Sequence, residues 1–160
     1  LEGLGIAVLD ATTDSQVAPL GKYFTDLGKL VFAVFDKQEA AQKTLIEASV
    51  KHPFEAPEKG FENVVLHATH EAALRRFAEY MVNEDHWPPH LAGVKPTVGM
   101  ALADLVASLK LFLKWGKGNG YAADLLAMCS KDEMPPFIVT TLRAIQVFIE
   151  PPPPHEEGAL

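Results

Sequence analysis

Two short stretches near the start of the chain are apolar at almost every position, instead of alternating with polar residues. They are GIAVLDA, residues 5–11, and LVFAVFD, residues 30–36. Continuous apolar runs of this length indicate strands that are buried on both faces, as in a parallel sheet. We therefore predict two strands, with Asp10 and Asp36 at their carboxyl ends.

A helix is predicted between these strands, over residues 15–28, because apolar residues recur there at spacings of three and four. Pro19 is expected in its first turn and Gly28 at its end. Strand, helix and strand form a βαβ unit, for which a right-handed crossover is the rule. The next segments are predicted as a helix over 38–50, a polar loop over 51–60 and a third strand over 61–68.

Beyond residue 68 the apolar spacing is helical. Thr97 is expected to cap one of these helices, and Pro135 and Pro136 are expected to open the last. The predicted helices span 69–86, 97–115, 121–129 and 135–149. The chain thus divides into an α/β segment over 1–68, a helical segment over 69–115, a glycine-rich lysine turn with closing helices over 116–150, and a proline-rich tail over 151–160.

The composition limits the classes of protein to consider. A formal net charge of −7 argues against a protein that coats nucleic acid, which would usually be basic. The same charge is compatible with an enzyme that meets phosphates through metal ions, because such a site is itself acidic. Cys129, the one cysteine, is expected to be a core thiol, and a reducing cytoplasm is the natural compartment. No apolar run approaches the roughly 20 residues that cross a bilayer, so no membrane partner is expected.

Acidic residues at the ends of the predicted strands are the first candidate site. Ligands of parallel sheets bind beyond the carboxyl ends of the strands, where Asp10 and Asp36 are expected, and Glu62 begins the third predicted strand. Neighbouring carboxylates raise each other's pKa unless a divalent cation lies between them. Oxygen ligands of this kind suit Mg²⁺ or Mn²⁺. The alternative is that these acids are loop residues or helix caps.

Basic residues form a second candidate site. Lys110, Lys114 and Lys117 are spaced four and three apart, and Lys117 lies within the turn GKGNG. A lysine on a glycine-rich turn can reach a phosphate. For Lys110 and Lys114 a solvated helix face is the preferred alternative. The histidine pairs in HATH and HWPPH do not predict a zinc site, because the chain has one cysteine and no HExxH motif.

Three stretches together carry a resemblance to a known family: FAVFDKQ, GFENVVLH and WGKGNGYAADLLAMC followed by EMPPFIVTTLRAI. In order and spacing they resemble the Toprim catalytic domain of the OLD (overcoming lysogenization defect) family of ATP-dependent endonucleases, in its C-terminal region. The likeness covers most of the chain. It implies an α/β fold with a Toprim-like parallel sheet, followed by an all-helical segment.

The resemblance also assigns roles to particular residues. Asp36 matches the first aspartate of the family's DxD motif and would bind metal, whereas the second aspartate is replaced by Gln38. Gln38 offers a neutral oxygen, so Glu39 and Glu62 are the acids expected to complete the metal site. Lys117 matches a lysine that would stabilise charge in the transition state.

The chain departs from the family at its beginning. LEGLGIAV lacks the second glutamate of the family's VEGxxE pattern. The resemblance therefore implies a sheet without its first strand, a metal site without that glutamate, and an ATPase domain that these residues do not include.

The implied function is a metal-dependent DNA endonuclease that hydrolyses phosphodiester bonds with two Mg²⁺ or Mn²⁺ ions about 3.5–4 Å apart. Ca²⁺ is expected to substitute structurally. The implied partners are DNA, which Lys110 and Lys114 would contact, the ATPase domain of the full-length protein, and a second copy in a homodimer; phage defence is the implied setting.

Two other classes remain open on the sequence alone. One is a regulatory α/β domain of receiver type, which also places acids at strand ends. The other is a non-catalytic scaffold whose helical segment docks a partner. The substitution Asp36→Ala separates the scaffold from a nuclease, because it should abolish nuclease activity and scarcely affect docking.

Overall fold

The computed structural model describes residues 5–149, and within them the chain is a mostly helical α/β protein with a two-stranded parallel sheet. Strand β1 (Phe32–Phe35) pairs with β2 (His52–Glu55), with Phe32 opposite His52 and Phe35 opposite Glu55. The helices are α1 (Asp14–Asp26), α2 (Ala40–Ser49), α3 (Phe61–Ala68), α4 (Glu71–Asn83), a 3₁₀ helix (Pro89–Val94), α5 (Leu102–Trp115), α6 (Tyr121–Ala127) and α7 (Pro136–Ile149).

The first helix forms where its spacing predicts it and ends at Asp26, and Gly28 turns the chain just beyond it. This glycine has a φ of +72°, its amide donates to the carbonyl of Thr25 at 2.9 Å, and the Lys29 amide donates to the carbonyl of Phe24 at 3.0 Å. These paired bonds satisfy carbonyls that the helix end would leave unpaired. The prediction for Pro19 is wrong, because α1 begins at Asp14 and Pro19 lies inside it.

The parallel sheet is confirmed, but its second strand is not the predicted one. Residues 5–11 form no strand, and Val8 and Leu9 in them are 76% and 60% exposed. The partner of β1 is instead β2, in the segment predicted as a loop. Pro53 made that segment resemble a loop, yet a strand at the edge of a sheet tolerates the missing amide. The βαβ unit is therefore β1–α2–β2.

The third predicted strand is a helix. Val64, Val65 and Leu66 are consecutive and each only 1% exposed, because α3 packs against both α5 and α6. A short apolar run fits a buried helix as well as a buried strand, so its period does not distinguish them. The expected three-stranded sheet is reduced to two strands in the part of the chain that the structure describes.

The buried side chains form two clusters. The smaller one lies between the sheet and the first two helices and consists of Ala18, Ala33, Phe35, Ile46 and Val50. The larger one lies among α3, α4, α5 and α6, with Phe77 and Phe112 at 0% exposure. Helix α7 reaches back to the sheet, since the Phe148 ring lies 4.4 Å from the His52 ring and 5.5 Å from the Phe32 ring, centre to centre.

Helix α5 begins five residues later than predicted, and Ala101 rather than Thr97 is its N-cap. Both terminal nitrogens of Arg75 donate to the carbonyl of Met100 at 3.1 Å, which holds this segment in a non-helical turn. Helix α7 begins at Pro136, as the proline pair predicts. No helix among residues 5–149 is long and apolar enough to cross a membrane.

Phe112 is the aromatic centre of the larger cluster, and Phe112→Ala should lower the free energy of unfolding by about 3–5 kcal/mol through lost burial and a residual cavity. The matched control is Leu111→Ala on the same helix, where the side chain is 45% exposed. Urea unfolding followed by circular dichroism measures both. Equal losses in the two variants would contradict the assigned core.

Candidate functional site

Asp36 follows the last residue of β1 and holds two parts of the chain together. Its Oδ2 accepts a hydrogen bond of 2.6 Å from the Gly60 amide. Its Oδ1 accepts one from Nε2 of Gln38, which also donates to the Asp36 carbonyl at 3.1 Å. The carboxylate therefore lies at the carboxyl edge of the parallel sheet, as the sequence predicts, and joins that edge to the loop before α3.

Gly60 also brings the Glu62 carboxylate to this place. Gly60 is the N-cap of α3 with a φ of +83°, and a β-carbon at this position would lie 2.9 Å from Oε1 of Glu62. The absence of a side chain leaves the room that the Glu62 carboxylate occupies. Asp36 and Glu62 thus meet at one residue, Asp36 at its amide and Glu62 beside its α-carbon.

Glu55 is an acid of this region that the sequence reasoning missed. It ends β2, opposite Phe35, and its Oε1 accepts a 3.1 Å hydrogen bond from the Gln38 amide. Its Oε2 accepts from Nζ of Lys43 at 2.5 Å. The bond from Lys43 and then the one from Gln38 hold the pKa of Glu55 below its ordinary value, and Glu55 raises the pKa of Lys43. Recognising HPFE as a strand would have placed this acid at the sheet edge.

The remaining predicted acids are more peripheral. Glu39 is the N-cap of α2 and is exposed, and its side chain makes no capping hydrogen bond. Asp10 is exposed, and its Oδ1 accepts from the Thr12 amide at 2.7 Å in a local turn. Because residues 5–11 form no strand, the predicted sheet edge shared by Asp10 and Asp36 does not form in the described residues.

The predicted lysines lie on the helical part of the chain. Lys110 and Lys114 are exposed on α5, and Lys117 is exposed in the turn that follows it. Gly118 and Gly120 in this turn have φ values of +96° and +83°, so the turn uses the freedom that its glycines provide. No hydrogen bond or ion pair within residues 5–149 joins Lys117 to the carboxylates around Gly60.

A bidentate ion pair between Arg76 and Glu133 fixes α4 to the turn before α7. The Nη2–Oε2 and Nη1–Oε1 distances are 2.7 and 3.0 Å, and Arg76 is the main reason that the pKa of Glu133 falls to about 2. Cys129 lies nearby, half-buried, and its thiol donates to the Leu125 carbonyl at 3.3 Å. Burial raises the pKa of this thiol, which disfavours the reactive thiolate.

The two carboxylates at Gly60, those of Asp36 and Glu62, carry oxygen atoms of the kind that Mg²⁺ and Mn²⁺ prefer, whereas Gln38 presents its side-chain nitrogen to Asp36. Within residues 5–149 no three histidine, cysteine, aspartate or glutamate side chains are grouped as a metal site. His70 instead caps α4, with its Nδ1 accepting from the Ala72 amide at 3.2 Å. In comparisons with known proteins, no family model, curated protein or solved structure matches this chain.

The ion pair of Glu55 should give a pH dependence. Its lowered pKa stabilises the fold at pH values above its ordinary pKa of about 4.3, and this stabilisation is lost as the pH falls through the lower folded-state pKa. Lys43→Met should raise that folded-state pKa. The measurement is an NMR titration of the Glu55 carboxyl carbon.

The control for this titration is Lys22→Met, which removes the exposed pair of Lys22 with Asp26 on α1. This variant should leave the Glu55 titration where it is in the wild type. An unchanged Glu55 midpoint in Lys43→Met would contradict the role of Lys43.

Proposed function

We propose that this chain is the nuclease domain of a divalent-metal-dependent DNA endonuclease, which nicks or cleaves DNA by hydrolysing phosphodiester bonds. The observation that carries the proposal is the meeting of Asp36 and Glu62 at Gly60, at the carboxyl edge of a parallel sheet. Carboxylates at this edge are placed for ligand binding. The resemblance of the sequence to OLD-family Toprim domains supports the same function.

In this proposal Asp36 and Glu62 bind the metal ions, and Gln38 and Glu39, which follow Asp36 in the sequence, supply further oxygen ligands. When bound, Mg²⁺ or Mn²⁺ supplies a Lewis acid that lowers the pKa of an attacking water and stabilises the leaving oxygen. The side-chain nitrogen of Gln38, Nε2, donates a hydrogen bond to Asp36 Oδ1. The side-chain amide would have to flip before its oxygen could bind a cation beside that carboxylate.

Glu55 acts as a positioning residue in this arrangement. Its bond with Lys43 neutralises its charge, and its bond with the Gln38 amide fixes the loop that carries Gln38. Glu55 thereby holds the backbone while the Gln38 side chain changes partners.

The basic residues and the further partners complete the proposal. Lys117 would neutralise negative charge on the phosphate, and Lys110 and Lys114 would contact DNA, since all three are exposed and none forms an ion pair with an acid among residues 5–149. The domain would work in the cytoplasm with an ATPase domain of the same protein and as a homodimer. Two catalytic ions are expected, of Mg²⁺ or Mn²⁺.

A protein-docking scaffold is the second candidate function, and a specific observation favours it. Both oxygens of the Asp36 carboxylate are already hydrogen-bonded within the chain, so the residue has a structural role without any metal. Several apolar side chains of the α/β part are also exposed: Val8, Leu9, Leu30, Val34 and Leu45. A receiver-type domain is less favoured, because the described residues contain one β–α–β unit rather than five alternating units.

Metal binding at Asp36 can be tested on this chain directly. Added Mn²⁺ should broaden the NMR signals of the Gly60 and Gln38 amides first, because Mn²⁺ is paramagnetic and these amides adjoin the carboxylates. Asp36→Asn should abolish the selective broadening, since the amide keeps an oxygen for Gly60 but loses the charge. Asp10→Asn, which alters an exposed aspartate in a local turn, is the control and should broaden as the wild type does.

Cleavage is then tested by nicking of supercoiled plasmid with Mg²⁺ or Mn²⁺. Nicking that Asp36→Ala removes and Asp10→Ala retains would support the nuclease. Nicking that survives Asp36→Ala would rule out this site as its source. Absence of both nicking and selective broadening would favour the docking scaffold.

A further inference from the structure

A run of aromatic rings leads from the centre of the helical core to its surface. The buried Trp87 stacks on Phe112 at 4.9 Å between ring centres, and Phe112 contacts Tyr121 at 4.8 Å. The Trp115 ring lies nearly parallel to Tyr121, at 6.4 Å and 17°, and Trp115 is 45% exposed. The outer rings are therefore held in place by packing against the core.

An open cavity of about 330 Å³ lies beside this run of rings. The residues that line it include the aromatic Tyr80, His86 and Tyr121, the methionines Met81 and Met128, and the acidic Asp124. The His86 ring lies 6.1 Å from Tyr80 and 6.3 Å from Tyr121, centre to centre. The cavity thus combines three flat rings, which carry phenol and imidazole polar atoms, with one acidic residue whose carboxylate is a charged hydrogen-bond acceptor.

A cavity with this lining favours a planar ligand that has N–H donors. Aromatic side chains stack on the face of any nucleobase, and a carboxylate accepts hydrogen bonds from the amino group of cytosine. Asp124 would repel a phosphate in the cavity itself, and Glu84 and Asp85, both exposed beside His86, add to this repulsion. Lys117, exposed in the turn that leads into Tyr121, is the lysine nearest in sequence to that ring, and a phosphate would bind there instead.

We propose that this cavity binds one unpaired nucleobase of single-stranded DNA, and that Lys117 contacts its phosphate. A base within an intact duplex is covered by its neighbours and cannot reach the aromatic walls. The inference rests on the proposed function in taking DNA as the substrate. It adds that the substrate presents an unpaired segment, such as a flap, gap or frayed end, to the helical part of the chain.

The test is binding of a fluorescent dodecamer of deoxycytidine, followed by anisotropy in the presence of EDTA. Tyr80→Leu should weaken binding about fivefold or more, because one stacking wall is lost. Tyr80 is 44% exposed, so the variant should remain folded, which circular dichroism checks. Tyr23→Leu on α1 is the matched control, since Tyr23 is an exposed tyrosine on another face.

The second measurement is the preference between two dodecamers, which should depend on Asp124 only if this residue contacts the base. The wild type should prefer deoxycytidine over thymidine dodecamers, because cytosine presents an amino donor where thymine presents a carbonyl. Asp124→Asn should reduce this preference while it leaves binding of the thymidine dodecamer unchanged or stronger.

Equal affinity in Tyr80→Leu and the wild type would overturn the inference, and so would equal affinity for the dodecamer and a blunt hairpin duplex. Absence of binding to either DNA would also overturn it and would leave the cavity as a protein contact. The binding assay contains EDTA and so does not depend on the metal site: binding that depends on Tyr80, without any plasmid nicking, would support the cavity and leave the nuclease unsupported. Nicking without such binding would support the nuclease and refute the binding of a base in the cavity.

Discussion

The hydrogen bond between the Gly60 amide and the Asp36 carboxylate is the interaction on which the candidate site depends. It joins the end of β1 to the residue that caps α3, and α3 packs into the larger buried cluster through Val65 and Leu66. The α/β part and the helical part are thereby connected by a short polar bond as well as by the chain. A charged acceptor makes this bond stronger than one between neutral groups.

The backbone angle and the neighbouring carboxylate explain why Gly60 cannot readily be another residue. Its φ of +83° is strained for residues other than glycine, and a β-carbon would crowd the Glu62 carboxylate. One glycine therefore meets two requirements, a left-handed turn and room for an acid. Sequence reasoning identified Asp36 and Glu62 separately, but it gave Gly60 no role.

The sequence predicts most helices because their apolar residues recur at helical spacing over ten or more positions, as in α1 and α5. It fails at β2 and α3, where only four and eight residues carry the signal. The hydrogen-bond partners of Asp36 likewise divide into one that the sequence predicts and one that it does not. Gln38 is predictable from its closeness in sequence, whereas the bond to Gly60 spans 24 residues and depends on the tertiary fold. Glu55 was missed because its strand was missed.

The contact of Phe148 with His52 and Phe32 has a consequence for how the chain folds. It joins the last turn of α7 to the sheet in the first half of the chain, so it forms only when residues far apart in sequence come together. Contacts between residues distant in sequence require closure of a long loop, which costs entropy before the contact adds stability, and they therefore slow folding. During synthesis the ring of Phe32 therefore stays without this cover until α7 has left the ribosome. The α/β part reaches its final packing only after the helical part is complete.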